Sequence, residues 1–376
     1  MTGVNFLEKL LDGAEVEWRA LGKIVQIKHG KDWKGLNSGG IPVYGSGGIM
    51  GYVDAYSYNK PTVLIPRKGS ITNIFYVETP FWNVDTIYYT EIDTSKIVPK
   101  YLFHFVKTID FMSLDRGSGR PSLTQEILNK IPIPIPCPDN PKKSLAIQSE
   151  IVRILDAFSE LTAELTAELT ARKKQYNYYR DRLLHFEEDE VEWKTLGEVA
   201  TLRRGRVISK NYLNENSGVY PVYSSQTFNN GEIGKINTFD FNGEFISWTT
   251  DGANAGTVFY RNEKFSITNV CGLITVNKNS KINYRYLFYW LTIEAQKYVY
   301  SGMGNPKLMS HQVEKIPVPI LPLAEQARIV ATLDKFDALT SSISEGLPRE
   351  IELRQKQYEY YRNMLFNFPK PKEVVE

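Results

Sequence analysis

The sequence predicts an α+β protein in which one unit, a mixed α/β domain followed by a long helix, occurs twice. Three observations predict this. Sequence landmarks recur in the same order about 180 residues apart, two segments alternate short apolar runs with turn residues, and two others have helical apolar spacing. The predicted domains span residues 1–144 and 188–322, the predicted helices span 145–187 and 323–369, and residues 370–376 form a tail.

The internal repeat rests on several paired segments. They are EVEWRALGKI (15–24) with EVEWKTLGEV (190–199), IPVYGS (41–46) with YPVYSS (220–225), GSGRPSL (117–123) with GMGNPKL (302–308), IPIP (131–134) with IPVP (316–319), and RKKQYNYYR (172–180) with RQKQYEYYR (354–362). Between these landmarks the copies diverge, and 26–75 shares little with 201–259 beyond Pro-Val-Tyr. One fold with two different surfaces indicates two related modules that recognise two different targets.

The domain segments are rich in β-branched and aromatic residues, with frequent Gly and Asn, as in 61–77 and 243–260. This composition predicts short strands joined by tight turns. Apolar periodicity predicts a short helix over 99–112 and its copy over 284–299. The IPIPIP and IPVPIL runs (131–136, 316–321) are predicted to be extended, because a residue before proline is pushed out of the helical region.

No Gly or Pro interrupts residues 145–186, and the apolar side chains there step by threes and fours, as in a coiled coil. One extra four-residue step, a stutter, lies in the tandem LTAELTAELTA at 161–171. The second helix, about 324–368, has the same pattern, with a break predicted near Gly346 and Pro348. The simplest arrangement is antiparallel pairing of the two helices within one chain; the alternative is that each helix serves only in oligomerisation.

No catalytic or nucleotide-binding motif is present, and the four histidines have no metal-ligand spacing. His104 lies on an apolar helical face and is predicted to be a core residue. Because these motifs are missing, we expect a protein that is not an enzyme. The two cysteines fall in different copies and no apolar run could span a membrane, so we also expect it to be cytoplasmic. Net charge is +2, but residues 1–144 and 190–322 are each +3, whereas 145–189 and 323–376 are −3 and −1, which favours polyanion binding by the domains.

Recognition of duplex DNA needs cations for phosphates and polar or Arg side chains for base edges. Candidate DNA-binding side chains lie in predicted loops, with RRGRVISK (203–210) the densest cluster. In the first domain they are Lys28, His29, Lys31, Lys34, Arg67, Lys68, Arg116 and Arg120. In the second they are Arg203, Arg204, Arg206, Lys210, Thr250, Asp251, Asn305 and Lys307. A solvated charged surface remains the alternative for any one of them.

In combination, these motifs resemble the specificity subunit of type I restriction–modification systems. The resemblance rests on W-x-x-L-G-x-[IV] at 18–24 and 193–199, on L-A-x-Q at 145–148 and 323–326, and on K-Q-Y-x-Y-Y-R at 174–180 and 356–362. The TAEL tandem is similar to the spacer repeat of one subgroup of that family. The resemblance covers nearly the whole chain.

The resemblance implies two target-recognition domains, each recognising one half of an asymmetric bipartite DNA site. It implies that the helices are conserved spacers that set the half-site separation and dock two methyltransferase subunits. Restriction–translocase subunits would join them, and S-adenosylmethionine, ATP and Mg would be bound only by those partner subunits. A different class of function, a two-headed scaffold for protein or glycan ligands, stays open because net charge is modest and tyrosines number 23.

The TAEL tandem yields the first testable prediction. Four residues add about 6 Å of helix, which corresponds to at most about two base pairs. Deleting Thr166–Leu169 is therefore expected to keep both half-sites and shorten the unread spacer between them. Mapping methylated adenines in cells that express the deletion with its system checks this, and an unchanged spacer contradicts it.

Overall fold

The computed structural model describes residues 4–114, 121–302, 304–341 and 346–369. The chain forms two compact units. Unit 1 comprises Met1–Thr166 and Glu350–Glu376, and unit 2 comprises Ala167–Arg349. Unit 1 therefore combines the first domain and the start of the first long helix with the end of the second long helix. Unit 2 combines the end of the first long helix with the second domain and the start of the second long helix.

The domain of unit 1 is built from nine strands and four short helices. The strands are β1 (Val16–Ala20), β2 (Val25–Lys28), β3 (Ser38–Gly45), β4 (Gly48–Val53), β5 (Thr62–Pro66), β6 (Phe75–Val77), β7 (Trp82–Asn83), β8 (Ile87–Ile92) and β9 (Pro132–Pro136). The helices are α1 (Val4–Leu11), α2 (Pro99–Val106), α3 (Phe111–Leu114) and α4 (Gln125–Asn129), and they are followed by the long α5 (Pro141–Leu183).

The domain of unit 2 repeats this plan. Its strands are β10 (Glu192–Thr195), β11 (Ala200–Arg204), β12 (Ser217–Tyr223), β13 (Glu232–Ile236), β14 (Phe241–Thr249), β15 (Val258–Ile267), β16 (Cys271–Val276) and β17 (Pro317–Ile320). Its helices are α6 (Leu196–Val199), α7 (Lys210–Glu215), α8 (Tyr284–Glu294) and α9 (Ser310–Val313), followed by α10 (Leu323–Thr340) and α11 (Gly346–Leu365).

Strand order is the same in the two domains. Unit 2 has one six-stranded sheet in the order β11-β16-β14-β15-β12-β13, whereas unit 1 has the orders β2-β8-β5-β6 and β4-β3-β7. In unit 2, the long β15 pairs antiparallel with β14 and, near its end, parallel with β12. In unit 1, two separate strands make the equivalent pairings: β6 pairs antiparallel with β5, and β7 pairs parallel with β3. The proline runs are extended as predicted, because β9 and β17 each pair antiparallel with the first strand of their domain.

Several element boundaries differ from the predicted ones. The helix predicted over 99–112 is two helices, α2 and α3, and its copy α8 ends at Glu294. The first long helix begins earlier than expected, at Pro141, because proline is favoured in the first helical turn, where its missing N–H is not needed. The predicted break in the second long helix is confirmed: α10 ends at Thr340, and α11 begins at Gly346 with a φ of +76°.

The L-A-x-Q glutamines fix the long helices to their domains. In unit 1, the fully buried Gln148 accepts a hydrogen bond from Val98 N (2.8 Å) and donates to Lys96 O (3.2 Å), directly before α2. In unit 2, Gln326 accepts from Asn283 N (2.8 Å) and donates to Lys281 O (3.0 Å), directly before α8. A buried amide satisfied in this way specifies one orientation of the helix against the domain.

Each domain core also contains the end of a long helix. In unit 1, Phe366 after α11 packs against Tyr101 and Phe105, with ring centroids 5.2 and 5.4 Å apart. In unit 2, Phe186 after α5 lies 6.2 Å from Trp290, and Leu184 is buried in the same cluster. Leu155 of α5 is also fully buried in the core of unit 1.

The same aromatic pair joins the helix segments within each unit. Phe158 of α5 stacks on Tyr361 of α11 in unit 1 (5.0 Å), and Tyr179 of α5 stacks on Phe336 of α10 in unit 2 (5.5 Å). Phe158 matches Phe336 in the sequence repeat, and Tyr179 matches Tyr361. The same Phe–Tyr contact therefore forms in both units, and in each unit the Phe and the Tyr come from different copies of the repeat. Pairing along the full length of the helices stays a prediction.

The core position predicted for His104 is confirmed, since its side chain is 1% exposed. Its Nδ1 and Nε2 lie 2.9 Å from the Tyr358 hydroxyl and from Asp156 Oδ1 respectively. Burial lowers the pKa of His104, and the nearby Asp156 carboxylate only partly opposes this. The equivalent residue of unit 2 is Tyr289, which donates to Asp334 Oδ1 at 2.6 Å.

The two tryptophans that match in the repeat, Trp18 in β1 and Trp193 in β10, differ in one hydrogen bond. Trp18 Nε1 donates to Pro369 O (2.9 Å), whereas the buried Trp193 Nε1 has no partner among the described residues. An unpaired buried donor forfeits its hydration without compensation.

We therefore expect Trp18→Phe to lower the free energy of unfolding of unit 1 by about 0.5–1.5 kcal/mol more than Trp193→Phe lowers that of unit 2. Hydrogen–deuterium exchange, followed on peptides from each unit, measures the two values separately. Equal losses in the two units would contradict this reading of the two indoles.

Candidate nucleic-acid interface

The segments 28–31 and 203–206 occupy the same place in the two domains. Each begins at the end of the first strand of the larger sheet, β2 or β11, and each contains a glycine against neighbouring backbone. A Cβ on Gly30 would lie 2.1 Å from Val84 O, and one on Gly205 would lie 2.2 Å from Ile267 O. Only glycine fits such an approach. Lys28, His29 and Lys31 are thus the structural counterparts of Arg203, Arg204 and Arg206.

A second pair of turns is equivalent although the sequences differ. Gly69 and Gly252 both have a φ of +88°, and their N–H groups donate to Pro121 O (3.1 Å) and Pro306 O (3.0 Å). The preceding residues are Arg67 and Lys68 in unit 1 and Thr250 and Asp251 in unit 2. One backbone turn thus presents two cations in one domain and the Asp251 carboxylate in the other. The prediction that Thr250 binds DNA is wrong, because its side chain is fully buried and its hydroxyl donates to Asp251.

In unit 1, this turn is held over Asp85. Lys68 Nζ lies 2.9 Å from Asp85 Oδ2, and Arg67 Nη1 lies 3.9 Å from the same oxygen. The Lys68 ammonium, hydrogen-bonded to this carboxylate, holds the pKa of Asp85 below its usual range. His29 packs edge-on against Tyr88, 5.0 Å between ring centroids. The pairing orients both cations while leaving about 40% of each side chain exposed.

In unit 2, three predicted segments meet at Asp251. Its carboxylate lies 3.7 Å from Arg204 Nη2 and 4.0 Å from Lys307 Nζ, and it accepts a hydrogen bond from the Thr250 hydroxyl at 2.6 Å. Arg204 also donates to the carbonyl of Asn269. The structure therefore brings Arg204, Thr250, Asp251 and Lys307 together, with the exposed Asn305 two residues from Lys307.

Other predicted residues are engaged elsewhere or lie apart. Arg203 stands over the Phe241 ring (5.1 Å), and Arg206 bonds to Asp240 (2.9 Å), which raises the pKa of the Arg206 guanidinium. Lys28 lies 3.5 Å from Glu91. Lys31, Lys34 and Lys210 are exposed, and Lys210 is the first residue of α7. Arg116 and Arg120 lie outside the described residues.

Sequence reasoning missed the residues that organise these clusters. Asp85 holds the unit 1 cations, and the backbone of Asn269 holds Arg204 at the equivalent position. Asp85 stands among uncharged residues in the sequence, 17 positions from Lys68, so no local signal singled it out. The 67–69 and 250–252 turns are related by Leu123 and Leu308, which match in the repeat and whose N–H groups donate to Arg67 O and Thr250 O. These leucines follow Arg67 and Thr250 at different distances in the sequence, so spacing alone does not reveal the equivalence.

The two domains differ in chemistry on a common scaffold, and comparison with known proteins says which scaffold it is. A family model described as type I restriction modification DNA specificity domain matches residues 14–172 and 188–353. The chain belongs to this family. Its relatives include the EcoR124I/EcoR124II specificity subunit of Escherichia coli, 38% identical with all of both chains covered.

A second relative is a putative type I restriction enzyme specificity subunit of Haemophilus influenzae, 35% identical over 97% of this chain and 98% of the relative. A solved specificity subunit from M. genitalium shares the fold with a TM-score of 0.65 at 16% identity, covering 96% of this chain and 98% of that one. As a specificity subunit, the chain has a non-catalytic role, because catalysis in type I systems is carried by partner subunits. No helix among the described residues is long and apolar enough to cross a membrane.

Proposed function

We propose that each unit of this specificity subunit recognises a different half of a bipartite DNA site, through the clusters around Asp85 in unit 1 and Asp251 in unit 2. The carrying observation is the turn that ends in Gly69 or Gly252. The same backbone presents Arg67 and Lys68 in one unit and, in the other, Asp251 next to the buried Thr250. Two surfaces of this kind suit two different base sequences, since Arg and Lys favour guanine edges while a carboxylate accepts from cytosine.

The partners follow from the family. The specificity subunit assembles with other subunits of its restriction–modification system and with DNA. We propose in addition that two methyltransferase subunits dock on the long helices and that restriction–translocase subunits join the complex. S-adenosylmethionine, ATP and Mg would then be bound by those partners. The family match favours this function over the two-headed scaffold.

A salt titration of DNA binding by the complex with its modification subunits tests the proposal. We expect the affinity to fall steeply with salt, because bound cations displace counterions from phosphate. Arg204→Ala and Lys68→Ala are each expected to reduce the salt slope by about 1 if the residue contacts phosphate, and to relax specificity in one half-site if it contacts a base.

Lys130→Ala is the matched control, since Lys130 is an exposed lysine directly after α4, ion-paired with Glu126, and belongs neither to a cluster nor to a long helix. It should leave affinity, salt slope and specificity unchanged. Salt-independent binding by the unmodified complex, or the same behaviour from all three variants, would contradict the proposal.

A further inference from the structure

Large apolar side chains stand in water at the end of the same hairpin in both units. In unit 1, the β3–β4 hairpin carries Ile49 and Met50, 51% and 57% exposed, within three residues of its turn. In unit 2, the β12–β13 hairpin carries Phe228 in its connection, 84% exposed. Leaving such a side chain in water forgoes the free energy of its burial, so a partner that covers it gains affinity.

The backbone fixes Phe228 in this exposed position. Asn229 and Asn230, which follow it, both have positive φ values, of 49° and 53°. Such conformations persist in non-glycine residues when surrounding contacts enforce them. Here the buried Arg261 donates to Asn230 O at 2.6 Å, and Ser224 N donates to Gly231 O at 2.9 Å. These two hydrogen bonds hold the turn that carries the Phe228 ring.

Both hairpin ends lie beside the charged clusters. In unit 1, Ser46 N donates to the Thr86 hydroxyl (3.2 Å), and Thr86 O accepts from Arg67 N (2.9 Å). In unit 2, the hydroxyls of Ser224 and Thr268 are 3.0 Å apart, and Thr268 directly precedes Asn269, whose carbonyl binds Arg204. Each hairpin is therefore joined at its base to the segment that carries or holds the cations, and the Phe228 tip lines a cleft with Phe288 and Asp337 of the same unit.

Duplex DNA has the matching chemistry, because anionic phosphates flank grooves in which base edges and apolar thymine methyl groups are exposed. A protein partner present in two copies would be expected to meet similar tips in the two units. The tips instead differ, as the two halves of an asymmetric DNA site differ.

We propose that Phe228 in unit 2 and the Ile49–Met50 pair in unit 1 contact nucleobases and contribute to recognition of their respective half-sites. This inference rests on the proposed function. It assigns to the hairpins a role in specificity that needs no charge, whereas the neighbouring cations supply the salt-dependent part of the affinity.

The test uses the complex with its modification subunits, its mapped DNA site and an unrelated duplex of equal length. Phe228→Ala is expected to weaken binding to the site by about 10-fold or more. Affinity for the unrelated duplex, the salt slope and subunit assembly should be unchanged. Base-pair substitutions should show lost discrimination in one half-site only, and Ile49→Ala with Met50→Ala should do the same in the other half.

Val219→Ala is the matched control, because Val219 is 73% exposed near the start of the same strand, β12. It should bind like the unmodified complex. Unchanged binding by Phe228→Ala, an equal loss on both duplexes, or loss of a modification subunit would overturn the inference. Failure of the proposed function is distinguishable, because the unmodified complex would then show no preference for its site.

Discussion

The structure depends on the insertion of helix ends into the domain cores. Phe366, at the end of α11, packs between two rings of α2 in unit 1, and Leu184, at the end of α5, is buried in unit 2. Each core is thus completed by a helix that belongs, in the sequence repeat, to the other copy. A buried Phe or Leu is worth about 1.5–3 kcal/mol, so displacing a helix end is costly. A domain without the other copy's helix would lack part of its core.

The two domain cores place different side chains at equivalent positions and still make a hydrogen bond to the same backbone carbonyl. Ile65 faces Tyr88 across β5 and β8, whereas Trp248 faces Gly272 across β14 and β16. The large aromatic side chain therefore stands on β8 in unit 1, whereas in unit 2 it stands on β14, the strand that pairs with the counterpart of β8. Tyr88 Oη donates to Leu123 O and Trp248 Nε1 to Leu308 O, which are equivalent carbonyls. The carbonyl behind each recognition surface is therefore held alike, while the exposed side chains in front of it are free to differ.

The repeat, the long helices, the proline strands and the core position of His104 could be predicted because they follow from local patterns. The equivalence of Arg67–Lys68 with Thr250–Asp251 could not, since these pairs share no residue type and only the backbone turn relates them. Nor could the exposure of Phe228, because an aromatic residue in a strand-rich segment is usually packed. Which charges meet around Asp85 or Asp251 depends on contacts between segments distant in sequence.

The central claim is that one scaffold carries two interchangeable recognition surfaces. It is tested most directly by replacing residues 15–136 with a copy of residues 190–320 and mapping methylated sites in cells that carry the rest of the system. We expect the methylated site of this chimera to contain the unit 2 half-site twice. Persistence of the unit 1 half-site, in a chain that still assembles with its partners, would contradict it.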